Sequence, residues 1–287
     1  MEPTEVFEAQ RRRLFGIAYR MLGSASDAED LVQEAWLRWQ SADRSGVAEP
    51  AAFLATIVTR LSLTALDSAR ARRETYIGPW LPEPVDTSND PALGAERAEA
   101  LSLAVLLLLE RLTPAERAAY VLHEAFDYPF RQVAELLETS EANARQLGAR
   151  ARQHIDQERG APVPKAERER LLALFMAAAQ SGDVAALEAA LAEDVVSLSD
   201  GGGVVTAARR PVHGRERVAQ LILGVIEKFG QGVDVSIVEA NGEPAILGVR
   251  DGQPVALWIA DVGAGGVRQS LVVLNPEKLG GFALSHS

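Results

Sequence analysis

The sequence predicts a multi-domain chain in which two all-α modules, the second built around a helix-turn-helix, precede an α+β cone. Three observations carry that reading. Apolar residues recur at helical spacing through residues 5–75 and again from about Pro91 to Glu158. Two Gly/Pro-rich stretches, Gly78 to Asp90 and Gly160 to Lys165, punctuate the helical pattern. Towards the end the chain turns to short strand-like runs, Val233 to Val238, Ala245 to Val249, Val255 to Val262 and Val267 to Leu274. At 287 residues there is room for two or three compact units, each with its own core. The expected boundaries are 1–75, a linker at 76–92, then 93–160 and 165–287.

In the first module Leu14, Ile17, Ala18, Met21 and Leu22 form one apolar stripe, and Leu31, Ala35 and Leu37 a second. Phe53, Leu54, Ile57, Val58, Leu61 and Leu63 form a third. Gly23-Ser24 ends the first helix, and Ser26 followed by Glu29 reads as a capping box opening the next. The linker holds prolines at 79, 82 and 84, which fix φ and remove amide donors, so it is expected to be extended. Fully stretched, residues 76–91 would reach roughly 55 Å at about 3.3–3.6 Å each. Trp80 and Leu81 are out of place in a passive spacer and ask for an apolar socket.

The second module opens on the apolar helix "ALSLAVLLLLERL", which stops before Thr113-Pro114, a cap with proline at the first helical position. In "DYPFRQVAELLETSEANARQLGARARQHI" a short helix carries Val133, Ala134, Leu136 and Leu137. A turn at Glu138 to Ser140 follows, then a helix with Ala144, Leu147 and Ala151 on its inner side. Two such helices are more often plain packing than a DNA reader. The outer side of the second, with Asn143, Arg145, Gln146, Arg150 and Arg152, supplies amide and guanidinium groups that can grip phosphates or read base edges. The third unit is expected to run as a helix from Ala166 to Val195, broken at Ser181-Gly182-Asp183, then a second helix at Gly214 to Phe229. The antiparallel strands follow, making a cone with a pocket at its open end.

The net charge of −11 argues against a protein that holds nucleic acid unaided, so basic character has to be local. It concentrates between Arg60 and Glu74 and between Glu141 and Ile155. There is no cysteine, and the four histidines have no metal-ligand spacing, so neither a metal nor a cofactor is expected. No apolar run approaches a membrane span and no signal-peptide core follows Arg11 to Arg13, so a soluble, cytoplasmic protein without a membrane partner is expected.

"DAEDLVQEAWLRW" (Asp27 to Trp39), "FLATIVTRLSL…SARARRE" (Phe53 to Glu74) and the helix-turn-helix together resemble an extracytoplasmic-function sigma factor of bacterial RNA polymerase. The third unit resembles the SnoaL-like, NTF2-type domain appended to one subgroup of these factors. That subgroup is marked by WLPEP, DGGG and a terminal NPDKL, standing here as Trp80 to Pro84, Asp200 to Gly203 and Asn275 to Leu279. Val204 replaces the basic residue that usually follows the glycines.

The resemblance implies core RNA polymerase and promoter DNA as partners, with the polymerase making most of the phosphate contacts. Glu29, Asp30, Gln33, Glu34 and Arg38 would meet the polymerase clamp. Arg60, Arg70, Arg72 and Arg73 would face the upstream edge of the melted bubble, where bases leave the stack, and Asn143, Arg145, Gln146 and Arg150 the distal promoter element. Trp80, Leu81, Pro82, Glu83 and Pro84 would dock on Asp200, Gly201, Gly202, Gly203, Asn275, Pro276, Glu277, Lys278 and Leu279 as an interdomain latch, with Trp80 in the socket. The rival reading is a helix-turn-helix regulator fused to a small-molecule-binding or cyclase-like domain, with Asp200, Asp261 or His213 as its base. No enzyme is expected, and a small-molecule ligand in the terminal pocket is left open.

Overall fold

The computed structural model describes residues 2–88, 101–159 and 163–283. Two compact units emerge, one of Met1–Thr75 with Pro91–Glu158 and the other of Tyr76–Asp90 with Arg159–Ser287. The proline-rich linker therefore belongs structurally to the C-terminal unit. The boundaries expected after residue 92 and at residue 160 lie outside the described residues.

The helical unit begins with α1 (Pro3–Leu22), α2 (Ala25–Ser41) and α3 (Pro50–Glu74). Phe7, Leu14, Ile17 and Met21 of α1 are buried with Val32, Ala35 and Trp39 of α2 and with Leu54, Val58 and Leu66 of α3. Leu37 is 58% exposed, so it stands outside the core expected for it. Gly23 closes α1 in a left-handed conformation, φ 66°. The next residue, Ser24, caps α2 by accepting from Asp27 N at 3.2 Å. The cap is thus two residues earlier than Ser26, because the extended backbone of Ser24 meets the free amides while Ser26 already lies in the first turn. By length and composition alone α3 is apolar enough to cross a membrane, contrary to the expectation that no run approaches a span. Its Leu54, Val58 and Leu66 lie in the core of this helical unit.

The same unit continues with α4 (Leu103–Leu109), α5 (Pro114–Tyr120), a π-helical turn over Val121–Ala125, α6 (Phe130–Leu136) and α7 (Glu141–Glu158). Thr113 and Glu116 form a reciprocal capping box at the start of α5. Helices α6 and α7 make the helix-turn-helix, with Glu138 at φ 52° in the turn. Val133, Ala134 and Leu136 bury against Ala144, Leu147 and Ala151. A Cβ on Gly148 would stand 2.9 Å from the Phe130 ring, so the crossing is close because this position is glycine.

The C-terminal unit holds α8 (Lys165–Ser181), α9 (Val184–Ala190), β1 (Leu191–Asp200), β2 (Val212–His213) and α10 (Arg215–Phe229). It continues with β3 (Asp234–Ala240), β4 (Glu243–Arg250), β5 (Gln253–Gly263), β6 (Gly266–Val273) and α11 (Pro276–Ala283). The sheet runs β2-β1-β6-β5-β4-β3. Neighbours are antiparallel except β1 and β6, which are parallel, so the sheet is mixed rather than wholly antiparallel. The expected helix over Leu191 to Val195 is strand. Leu187, Leu191 and Val195 repeat every four residues and imitate a continuing helix, but residues four apart also share one face of a strand, and pairing with β6 selects the strand.

Phe175 of α8 stacks on Trp258 of β5 at 4.1 Å, inside a core that includes Leu172, Val218 and Val267. Trp258 Nε1 donates to Ser270 Oγ at 2.8 Å, so its polar edge is satisfied. Among the described residues, a cavity of about 10 Å³ lined by Arg168, Leu172, Glu243 and Trp258 lies in this core, space for about one water.

Candidate functional site

On α2 the residues expected to meet polymerase lie on the side away from Val32, Ala35 and Trp39. Asp30, Gln33 and Arg38 are exposed. Glu29 is held by Arg11 at 2.6 Å, and Glu34 by Arg38 at 2.8 Å. Leu37 sits among them, an apolar centre in a charged surface that helical spacing had assigned to the core. Such an apolar centre with a polar rim is the usual anatomy of a protein-binding face.

The DNA-reading candidates are placed unequally. Arg70 is exposed, and Arg72 reaches Asp27 at 2.7 Å while still facing solvent. On α7, Gln146 is exposed, Arg145 pairs with Glu141, Arg150 with Glu116 at 3.2 Å, and Asn143 donates to Thr139 Oγ1 at 2.9 Å. Arg60 pairs with Glu138 in the helix-turn-helix turn at 2.6 Å. Arg73 is turned inward, against Glu110 and the Leu22 carbonyl, so in this arrangement it is not presented to DNA.

Arg73 belongs to a buried network that locks the two helical modules together. Glu110 also pairs with Arg117 at 2.6 Å, and Arg117 Nε donates to the Arg20 carbonyl at 3.0 Å. Arg20 lies over the Phe126 ring at 5.0 Å, and Arg13 donates to the Phe126 carbonyl at 2.8 Å. Burial, reinforced by neighbouring Arg117, pulls the Arg73 guanidinium down to about 9, and burial alone does the same to Arg117. Both stay charged at neutral pH. A half-buried carboxylate shared by a half-buried and a fully buried guanidinium is costly to break, up to about 3–5 kcal/mol when one partner is removed. The exposed Arg60–Glu138 pair contributes about 1 kcal/mol or less. The inner network therefore decides whether the modules stay packed.

In the C-terminal unit the linker is gripped at two places. The first centres on Asp200 at the end of β1, which is fully buried. Its carboxylate accepts from Tyr76 Oη at 2.6 Å, Leu81 N at 2.9 Å, Gly202 N at 3.0 Å and Lys278 Nζ at 2.7 Å. Lys278 also donates to the Leu81 carbonyl, and Asn275 Nδ2 donates to Tyr76 Oη at 3.0 Å. Burial, then the bond to Asp200, pushes the Tyr76 hydroxyl well above its usual range. Gly202, at φ 64°, lies so close to Asn275 that a Cβ would meet its side chain at 2.6 Å. Leu81, Pro82 and Pro84 are buried, as is Leu279, whereas Glu83 is half-buried and Pro276 and Glu277 are exposed. Trp80 is half-buried with Lys278 Nζ over its ring at 4.4 Å. The apolar socket is thus filled by Leu81 rather than Trp80, and Trp80 makes a cation–π lid over the lysine.

The second grip lies further along the strip. Val85 N donates to Asn241 Oδ1 at 3.0 Å, and Asn241 N donates back to the Val85 carbonyl at 2.9 Å. Thr87 Oγ1 donates to Glu239 at 2.9 Å, and Asp86 forms a β-bridge with Ala240. Tyr76, Thr87, Glu239 and Asn241 were not among the residues expected to form the latch. Only the Asn241-Gly242 turn left a sequence signal, and it marks a hairpin rather than a linker contact.

The candidate bases of the rival reading are occupied or remote from the cavity. Asp200 is saturated by Tyr76, Leu81, Gly202 and Lys278, Asp261 is paired with Arg268 at 2.6 Å, and His213 is exposed on β2. The carboxylate that does border the cavity is Glu243, bound to Arg168 at 2.6 Å. Burial raises it to about 7, with Arg168 opposing the shift.

These two helical modules match the models of sigma-70 region 2 over residues 6–73 and of sigma-70 region 4 over residues 102–155. The chain is 42% identical to the ECF RNA polymerase sigma factor SigJ of Mycobacterium tuberculosis (strain ATCC 25618 / H37Rv), across 90% of this chain and 91% of the relative. It is 32% identical to a probable ECF RNA polymerase sigma factor, SigI, of the same organism (strain CDC 1551 / Oshkosh), across 95% and 93%. The crystal structure of M. tuberculosis SigJ superposes with a TM-score of 0.79 at 38% identity, covering 97% of this chain and 98% of that one. The fold thus defines a two-module sigma factor with an NTF2-like cone appended. The chain belongs to the extracytoplasmic-function sigma factors of RNA polymerase, and as an alternative sigma factor it directs transcription initiation at promoter DNA.

Proposed function

We propose that the C-terminal cone regulates this sigma factor by fastening the connector between its two promoter-reading modules. Its parts are residues 1–75 as region 2, 76–92 as connector, 93–160 as region 4 and 165–287 as the regulatory domain. The observation that carries the reading is the buried Asp200 carboxylate, which takes two of its four hydrogen bonds from the connector, through Tyr76 and Leu81. Pinning Tyr76 to Thr87 removes slack from the only covalent path between the modules, so the modules keep their packed arrangement and Arg73 stays on Glu110. Loosening the connector favours separation, which frees Arg60 and Arg73 to join Arg70 and Arg72 at the melted bubble. This is a population shift, because the cone binds the fastened connector and not the released one.

In this reading Asp30, Gln33, Glu34 and Arg38, with Glu29 at the edge, dock on the polymerase around Leu37. Asn143, Arg145, Gln146 and Arg150 read the distal element. The cone acts as a scaffold and not as a catalyst, since Asp200 and Asp261 are spent on cations and His213 has no orienting partner among the described residues. The working compartment is the cytoplasm, where core polymerase meets promoter DNA. The test is transcription in vitro with core enzyme across candidate promoters. The wild-type chain is expected to direct initiation from a matching promoter, and Arg145→Ala to lose most of it without loss of fold. Absence of any core-dependent initiation would sink the reading.

A further inference from the structure

The cone carries a cationic stretch that none of this uses. Arg209, Arg210, Arg215 and Arg217 lie within nine residues and are all exposed, with His213 exposed between them. Arginines elsewhere in this acidic chain are mostly neutralised: Arg60, Arg72, Arg145, Arg150 and Arg152 each hold a carboxylate. Among the described residues none of the four makes an ion pair, neither with Glu216 beside them nor with Glu193 and Asp194 on the strand that pairs with β2. Four unneutralised guanidiniums within nine residues, in a chain of net charge −11, suit an anionic partner outside the chain.

Shape and connectivity narrow the partner. Arg209 borders a shallow groove of about 170 Å³ whose other walls include Gly201, Gly203, Val204, Val205, Ala207 and Ala208. Ile77 and Gly78 form one side of it, with Gly78 placed against the Arg209 backbone. Gly78 follows Arg73 by five residues along the chain.

We infer that Arg209, Arg210, Arg215 and Arg217 form a phosphate-backbone contact for promoter duplex DNA, making the appended cone a third DNA-binding element. It rests on the promoter-reading assignment of the helical modules. Contacts of this kind add affinity and salt dependence without base selectivity.

The test measures binding of holoenzyme, core polymerase loaded with the full-length chain, to a labelled promoter duplex, and to single-stranded RNA of the same sequence, between about 50 and 200 mM salt. With all four arginines replaced by alanine, the slope of log affinity against log salt for the duplex should become shallower by about 2 to 4, close to 0.9 for each phosphate no longer neutralised. Lys228→Ala, an exposed cation on the same helix as Arg215, should leave the slope alone. Should the fourfold variant fold poorly by thermal unfolding, Arg209→Gln with Arg210→Gln should still reduce the slope by about 1 to 2. An unchanged duplex slope overturns the inference, as does a change confined to RNA. A separate variant with Arg72→Ala and Arg145→Ala probes the underlying reading. If it too leaves duplex binding unchanged, the helical modules' assignment fails, whereas weakening there alone removes only the cone's part in binding.

Discussion

Glu110 faces Arg73 and Arg117 from a single carboxylate, and replacing it strands a buried cation, Arg117, and a half-buried one, Arg73. Glu110→Ala is expected to destabilise the helical unit by about 3–5 kcal/mol in urea unfolding, whereas Glu138→Ala, at an exposed pair, should cost about 1 kcal/mol or less. Equal effects would show that burial is not what distinguishes them. Glu243 gives a pH signature of opposite origin. Its folded form holds the proton up to about 7, against an ordinary 4.5. The native state therefore binds more protons than the unfolded one between those values. Its contribution is complete below 4.5 and is lost as pH rises to about 7, on the order of 3 kcal/mol in all. Glu243→Gln should flatten that dependence of unfolding free energy on pH.

At the scale of elements, the helix-turn-helix depends on one close crossing. Gly148→Ala sets a methyl 2.9 Å from the Phe130 ring. It should cost about 1–3 kcal/mol, largely recovered when Phe130→Leu is added. A neutral Gly148→Ala in thermal unfolding would mean that α6 shifts freely on α7. Helices α6 and α7 were legible in the sequence because the period, the turn and the basic outer side agree. The α9–β1 junction was not, since Leu187, Leu191 and Val195 fit helix and bulged strand alike, and only pairing with β6 chooses between them. The outward place of Leu37 was hidden for a similar reason, because spacing cannot say which apolar residues of a helix the core leaves exposed. Of the latch, the Asp200 and Lys278 side was readable through the resemblance. Tyr76 and Asn241 were not, because a hydroxyl and an amide acquire a role only when the fold brings carboxylate and backbone to them.

For the whole molecule, the consequence is a sigma factor whose connector is also a structural part of the appended cone. Trp80 over Lys278, Leu81 in the socket and Asp200 beneath them make fastening a matter of a few bonds. Those bonds can be removed without touching a residue assigned to DNA or polymerase. The direct measurement is initiation in vitro by core polymerase with the wild-type chain and with Asp200→Ala combined with Lys278→Met, which leaves neither charge buried alone. The fastened-connector account predicts that the double variant, folded by thermal unfolding, initiates several-fold more than the wild type at equal concentration. Equal initiation by the two proteins would contradict it.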